Sequence, residues 1–202
     1  MGLPIMIKKV LILTGLNQET TLPILKMAEG KLSKDLGIET KIFNSGWESR
    51  KNFGEVEERL SKKIDAVDGE VILIGISAGM VVALVAKNKY GDKIPKMISL
   101  CGWSRPKIKL NHEEKEKYKA LAKLNNVFGE GVERYTKIYK EILPKDWKKI
   151  MVFWAENDEL IPKSCCVHKG MKPVELKILE HVSGIVIGLT RTKEMREFIE
   201  KK

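Results

Sequence analysis

Two kinds of hydrophobic pattern alternate along this chain. Val10-Leu11-Ile12-Leu13 and Val71-Ile72-Leu73-Ile74 are unbroken aliphatic runs with no polar alternation. That is the pattern of strands buried on both faces, as in a parallel sheet covered by helices. Lys96–Cys101 and Ile150–Trp154 read the same way, Thr40–Phe43 is shorter and less apolar and so nearer an edge, and Val174–Leu179 is the last strand. Between them the spacing turns helical. A helix capped by Thr20 or Thr21 carries Pro23 in its first turn, runs to Leu36 and is closed by Gly37. A second, Phe53–Val67, repeats Val56, Leu60, Ile64 and Val67 on one face. The residues after Met80 have the Val-, Leu- and Ala-rich composition of a buried helix. Strand and helix alternating in this order predict a mostly parallel sheet with right-handed crossovers and helices on both faces, a three-layer α/β sandwich.

The alternation lapses from Arg105 to Asp146, where two helical stretches, Glu113–Leu124 and Gly131–Leu143, flank Asn125-Asn126. It resumes after Ile150, with a short helix near Ser164–Lys169 and a final helix over Val186–Glu200. No repeat, low-complexity tract or linker interrupts the chain, so residues 1–202 are expected to form one domain.

The sharpest change of pattern is at Gly75-Ile76-Ser77-Ala78-Gly79, where a buried strand drives straight into a buried helix. Such a reversal crowds the backbone, and small residues on either side of Ser77 tolerate the close approach. It holds the Ser77 hydroxyl above the sheet at a helix N-terminus, where the N–H of Ala78 and the helix dipole favour developing negative charge. The competing reading makes Ser77 a simple helix cap.

Composition narrows the setting. No apolar run reaches the length of a membrane span, and Met1–Lys9 lacks the ordered regions of a leader peptide. Met6 does not suit a myristoylation signal at Gly2, so a cytoplasmic protein is expected. Cys101, Cys165 and Cys166 fit reduced packing residues, with no metal-ligand spacing among them. The formal charge of +10 admits a nucleic-acid or anionic partner, but the excess is overwhelmingly Lys scattered among Glu. Phosphate and base readers concentrate Arg with aromatics, so a solvated basic surface is the preferred reading.

In such sheets ligands sit at the carboxyl ends of the strands, and polar residues just past those ends carry the candidate chemistry. Ser77 follows one strand, Asp158 follows Ile150–Trp154, and His181 follows Val174–Leu179. A serine needs a base to take its proton, and the imidazole needs a carboxylate to orient it. His112 and His168 compete for the base but look surface-exposed. Glu156 and Glu159 compete for the acid, and Asp158 is preferred by its distance before Pro162. Trp103 and Met80 are candidate pocket residues, with core packing as the alternative, the preferred one for Met80.

These pieces together resemble the α/β-hydrolase superfamily over nearly the whole chain. The elbow is Gly75-Ile76-Ser77-Ala78-Gly79, the acid loop Ala155–Pro162 has the form Gly/Ala-x-x-Asp-x-x-Ile/Val-Pro, and His181 follows the last strand. The resemblance implies Ser77 as nucleophile, His181 as base then acid, Asp158 as its orienting partner, and an oxyanion hole from the N–H of Ala78 and of Leu16 or Asn17. It also implies a minimal sheet of about six parallel strands, with segment 105–146 lying over the site. The expected function is hydrolysis of a small carboxylic ester or thioester through an acyl-enzyme, with no metal or organic cofactor. The alternative is a ligand- or protein-binding protein of the same fold without turnover. A small-molecule ester or thioester is the expected partner, with no membrane or nucleic-acid partner. Monomer and homodimer both remain open.

Overall fold

A computed structural model of the chain describes residues 7–142, 144–178 and 180–201. Six strands form one sheet in the order β2-β1-β3-β4-β5-β6, every adjacent pair parallel. They are β1 (Ile7–Leu13), β2 (Thr40–Phe43), β3 (Glu70–Ile76), β4 (Met97–Leu100), β5 (Ile150–Ala155) and β6 (Lys172–Leu176). The interior strands are the most fully buried: every residue of β4 and β5 is buried, as are β3 from Val71 onward and β1 from Val10 onward. The two outer strands are the mixed ones. Pro173 in β6 is tolerated because an edge strand has no neighbour on one side to receive its missing N–H.

Connections run through α1 (Gln18–Leu36), α2 (Phe53–Asp65), α3 (Gly79–Tyr90), α4 (His112–Leu124), α5 (Asn126–Ile138), α6 (Pro144–Trp147), α7 (Lys163–Cys166), α8 (His181–Thr190) and α9 (Thr192–Glu200). The sheet separates two apolar layers. On one face Val10, Ile12, Ile72, Ile74 and Phe153 pack with residues of α1, α8 and α9. On the other Leu11, Leu13, Leu73 and Val152 pack with α2, α3 and α5. Full burial of each such side chain contributes about 1.5–3 kcal/mol of transfer free energy, which favours the most apolar strands in the interior of the sheet.

Several boundaries differ from the sequence expectation. Helix α1 starts before Thr20 and Thr21, with Asn17 in the left-handed region as its cap (φ 54°). Helix α5 starts at Asn126 instead of Gly131, because Asn125 caps it by accepting the Phe128 N–H. Gly129 and Gly131, which look like breakers, lie inside α5 because bulk is excluded there. A Cβ on Gly131 would meet the Phe53 ring at 2.7 Å, and one on Gly129 would meet Ala122 at 3.2 Å. The expected single C-terminal helix is two, broken at Arg191 (φ −80°, ψ 46°), and the first of them begins at His181 itself. Leu143 and Leu179, expected as a helix end and a strand end, and residues 1–6, read for a leader, lie outside the described residues. No helix among the described residues is long and apolar enough to cross a membrane.

Candidate active site

The strand order locates the site before any side chain is considered. From β1 the chain crosses outward to β2, then returns past β1 to β3 on its other side. The connections leaving β1 and β3 therefore diverge, opening a crevice at their carboxyl ends, the usual ligand position in an open parallel sheet. Gly15, Leu16 and Asn17 follow β1; Ser77 follows β3.

Ser77 is held there at φ 49°, left-handed for a residue with a Cβ, which costs on the order of 1–3 kcal/mol. The surroundings fix it: its N–H donates to Leu100 O at 3.0 Å, and its carbonyl accepts from Trp103 N at 3.1 Å and Met80 N at 3.2 Å. The glycines of the motif are required by contact. A Cβ on Gly79 would lie 2.2 Å from Leu13 O, and one on Gly75 would lie 2.6 Å from Met80 Cα.

The three candidate side chains meet at this point. His181 Nε2 lies 3.0 Å from Ser77 Oγ, and His181 Nδ1 lies 2.7 Å from Asp158 Oδ2. Asp158 Oδ1 accepts the N–H groups of Leu160 at 2.9 Å and Ile161 at 2.7 Å. The aspartate is thus committed on both oxygens, with the imidazole and carboxylate side chains only 5% and 2% exposed. Helix α8 brings His181 into place by close packing: a Cβ on Gly184 would meet Cys101 Sγ at 2.9 Å and Ala155 Cβ at 3.0 Å. Glu159 adds a brace, its carboxylate accepting the His181 N–H at 2.9 Å.

The candidate oxyanion donors separate. The Asn17 N–H donates to Glu48 Oε1 at 2.9 Å and is already committed. The N–H groups of Leu16 and Ala78 have no hydrogen-bond partner among the described residues. Leu16, Ala78, Ser77 and His181 all face a cavity of about 240 Å³. Its remaining wall is apolar, built chiefly by Leu121, Leu124 and Phe128 from α4 and α5 and by Leu160 and Ile185 opposite. Segment 105–146 therefore covers the site, as expected.

Other expectations are corrected. Trp103 and Met80 are both fully buried and line no part of the cavity. Trp103 donates its indole N–H to Arg105 O at 2.8 Å and packs edge-on to Phe128, while Met80 sits beneath Gly75 and Gly102. His112 is exposed, as expected, but His168 is half-buried. It stacks on Trp147 with ring centroids 4.6 Å apart, its Nε2 lies 2.6 Å from Ser104 O, and burial pulls its pKa below the ordinary value. Glu156 and Glu159 are exposed, whereas Asp158 is buried. Glu48 carries no recognisable motif and was not expected at the site; the α4–α5 segment was, but not which of its residues form the wall.

Cys101 is the other group brought close. It follows β4 directly, at φ 47°, and its sulfur, an Asp158 oxygen and a His181 nitrogen lie within 4.8 Å of one another. These are metal-ligand types, but the chemistry fits poorly. Burial, reinforced by the Asp158 charge, pushes the Cys101 thiol up to about 12, so it stays protonated, and the aspartate and imidazole are directed at each other. Cys165 is also pushed up to about 12 by burial, consistent with a packing residue.

No family model and no curated protein matches this sequence. Solved structures do match in shape. The ydeN gene product from B. subtilis has a TM-score of 0.67 at 14% identity, over 96% of this chain and 100% of that one. The pyrethroid hydrolase PytH with BIF has 0.63 at 15%, over 95% and 97%. The Paleococcus ferrophilus monoacylglycerol lipase has 0.60 at 10%, over 94% of each chain. The fold is that of the α/β-hydrolases.

Proposed function

We propose that this protein is a serine hydrolase that cleaves a small carboxylic ester or thioester through an acyl-enzyme. The observation that carries this is the unbroken hydrogen-bond chain from Ser77 Oγ through the His181 imidazole to buried Asp158, opening onto a cavity. Two of the structural neighbours are named as a pyrethroid hydrolase and a monoacylglycerol lipase, which agrees with it.

In this mechanism the substrate carbonyl enters the cavity with its oxygen toward the N–H groups of Leu16 and Ala78. Ser77 Oγ attacks the carbonyl carbon as His181 Nε2 takes the hydroxyl proton, giving a tetrahedral oxyanion. Asp158 keeps the Nδ1 proton directed inward and stabilises the imidazolium. The oxyanion gains charge-assisted hydrogen bonds and the favourable N-terminal dipole of α3, neither fully used by the neutral carbonyl. As the tetrahedral species collapses, His181 gives its proton to the departing alkoxide or thiolate and Ser77 remains acylated. Water then enters, His181 takes one of its protons, and the same sequence releases the carboxylic acid and restores Ser77. Because Asn17 N–H is bound to Glu48, Leu16 supplies the second oxyanion donor.

A fluorophosphonate probe tests the nucleophile: labelling is expected for the native protein and lost in Ser77→Ala. Labelling that persists in Ser77→Ala, or hydrolysis of short p-nitrophenyl esters that survives His181→Ala, overturns this assignment.

A further inference from the structure

We infer that the acyl group accepted at Ser77 is an uncharged aliphatic chain of medium length, about six to ten carbons, seated against the α4–α5 wall. The inference rests on the hydrolase function proposed above and adds the substrate class. Three observations support it.

The first is composition. Among the described residues that line the cavity none is Asp, Glu, Lys or Arg, although such residues make up 32% of the chain. Beyond Ser77, His181 and the oxyanion loop the surface is Leu, Ile, Val and Phe. A carboxylate or ammonium on the acyl group would lose its hydration there without gaining a partner.

The second is size. An engineered cavity of about 150 Å³ lined by such side chains holds benzene, a six-carbon guest. The cavity here, about 240 Å³, is larger by roughly half. After the reacting carbonyl is seated, room remains for a chain well beyond acetyl and well short of palmitoyl.

The third is the mouth. Exposed large apolar side chains are few among the described residues, and Leu124 (68%), Leu160 (43%) and Val182 (45%) lie together on this cavity. Apolar surface left in water at an opening is covered when an aliphatic chain passes over it. The opposite walls come from α4 and from the acid loop, so chain length is sensed between an element that carries catalytic groups and one that carries none.

The test is a series of p-nitrophenyl esters: acetate, butanoate, hexanoate, octanoate, palmitate and the succinate half-ester. Each methylene that becomes buried raises kcat/KM about four-fold at most. Expected is a rise of at least 10-fold from acetate to hexanoate or octanoate and a fall at palmitate. The succinate half-ester should lie at least 10-fold below butanoate, which has the same chain length. Labelling of Ser77 by ethyl and octyl fluorophosphonates should follow the same order without turnover. Leu121→Trp should lower the octanoate-to-acetate ratio by about 10-fold by filling the wall. Leu124→Trp, at a largely exposed position, gives the same readout if the first variant fails to fold.

A profile flat within about three-fold from acetate to octanoate overturns the inference, as does a maximum at acetate or equal use of succinate and butanoate. In each case Ser77-dependent labelling would leave the hydrolase proposal standing. If no ester is cleaved and no probe labels Ser77, the hydrolase proposal fails and the substrate class falls with it.

Discussion

Helix α3 presents a strained serine to an open cavity at one end and closes on a buried lysine at the other. At its N-terminus Ser77 sits at φ 49°, and the Ala78 N–H has no partner among the described residues. At its C-terminus Lys87, 5% exposed, donates to Gly91 O at 2.8 Å and lies 3.8 Å from Asp146. The dipole of one helix asks for negative charge at the first end and positive charge at the second. The positive charge is built in permanently, whereas the negative charge is supplied only when an oxyanion forms. An unpaired backbone N–H and a residue with a Cβ held at positive φ collect at the end where a reaction can use them. At the Lys87 end the positive-φ residue is Gly91, whose N–H is bound to Lys87 O, and the group left without a partner among the described residues is the Tyr90 hydroxyl.

The largest effect expected is on rate at the Ser77 end. Removing the nucleophile or base should lower kcat/KM by about 10⁴-fold or more, since triad members act as a unit. Ser77→Ala and His181→Ala should each remove most activity, and the double variant little beyond either single one, in steady-state assays on the best ester of the series. Additive losses would mean that the two groups do not share a step.

Next is the loop that supplies the second donor. Glu48 holds the Asn17 N–H at 2.9 Å and thereby sets the Leu16–Asn17 peptide. Glu48→Ala should lower kcat about 10-fold with KM little changed, because a misplaced donor is felt mainly in the transition state. Glu48→Gln keeps an acceptor oxygen and should restore most of the rate. Equal kinetics for Glu48→Ala and native protein would remove Leu16 from the oxyanion hole.

This contrast between donors also marks where sequence stops being informative. Ser77, Asp158 and His181 are legible because each follows an apolar strand, and strand ends in a parallel sheet share one rim. Gly75 and Gly79 are legible because a strand turning sharply into a helix leaves no room for a Cβ. Glu48 is not, since nothing local in Trp47-Glu48-Ser49 tells which backbone N–H will come within reach. Trp103 misleads for a related reason: its indole N–H finds Arg105 O two residues away, so a large polar-tipped aromatic past a strand end can be satisfied in the core. Gly129 and Gly131 look like the end of a loop, and only the approach of Phe53 and Ala122 explains them inside a helix. The apolar wall of α4 and α5 was expected over the site as a segment, but which of its faces meets the cavity depends on packing between helices.

A smaller effect reads the strain at Ser77 directly. Ser77→Gly and Ser77→Ala both delete the hydroxyl, but glycine adopts φ 49° at little steric cost and alanine does not. Ser77→Gly should be the more stable of the two by about 1 kcal/mol, less the extra entropy glycine loses on folding. Urea unfolding midpoints measured under one condition would show the difference. Ser77→Ala more stable than Ser77→Gly by the ordinary entropy difference, about 0.5–1 kcal/mol, would mean that the turn holds Ser77 without strain.

The smallest effect belongs to Lys87 and is seen best in pH dependence. Burial, with a further push from the charge of Lys149, lowers the Lys87 pKa below its ordinary value despite Asp146 and Asp92 nearby. A depressed folded-state pKa means that the unfolded chain binds this proton more tightly. The stability contribution is therefore fully present above the unfolded value, about 10.4, and is lost as pH falls through the lower folded value. Between those two values native stability gains from rising pH through Lys87, and Lys87→Met should lack that gain. At pH 7 the variant sheds the cost of burying a cation but leaves Gly91 O and Asp146 with fewer partners, so its stability should stay within about 1 kcal/mol of native. Comparing urea midpoints of the two proteins at pH 7 and near pH 10 isolates the difference. A loss of several kcal/mol at pH 7 would mean that this cation is needed for the C-terminus of α3 to form, and the two ends would no longer differ in the way argued above.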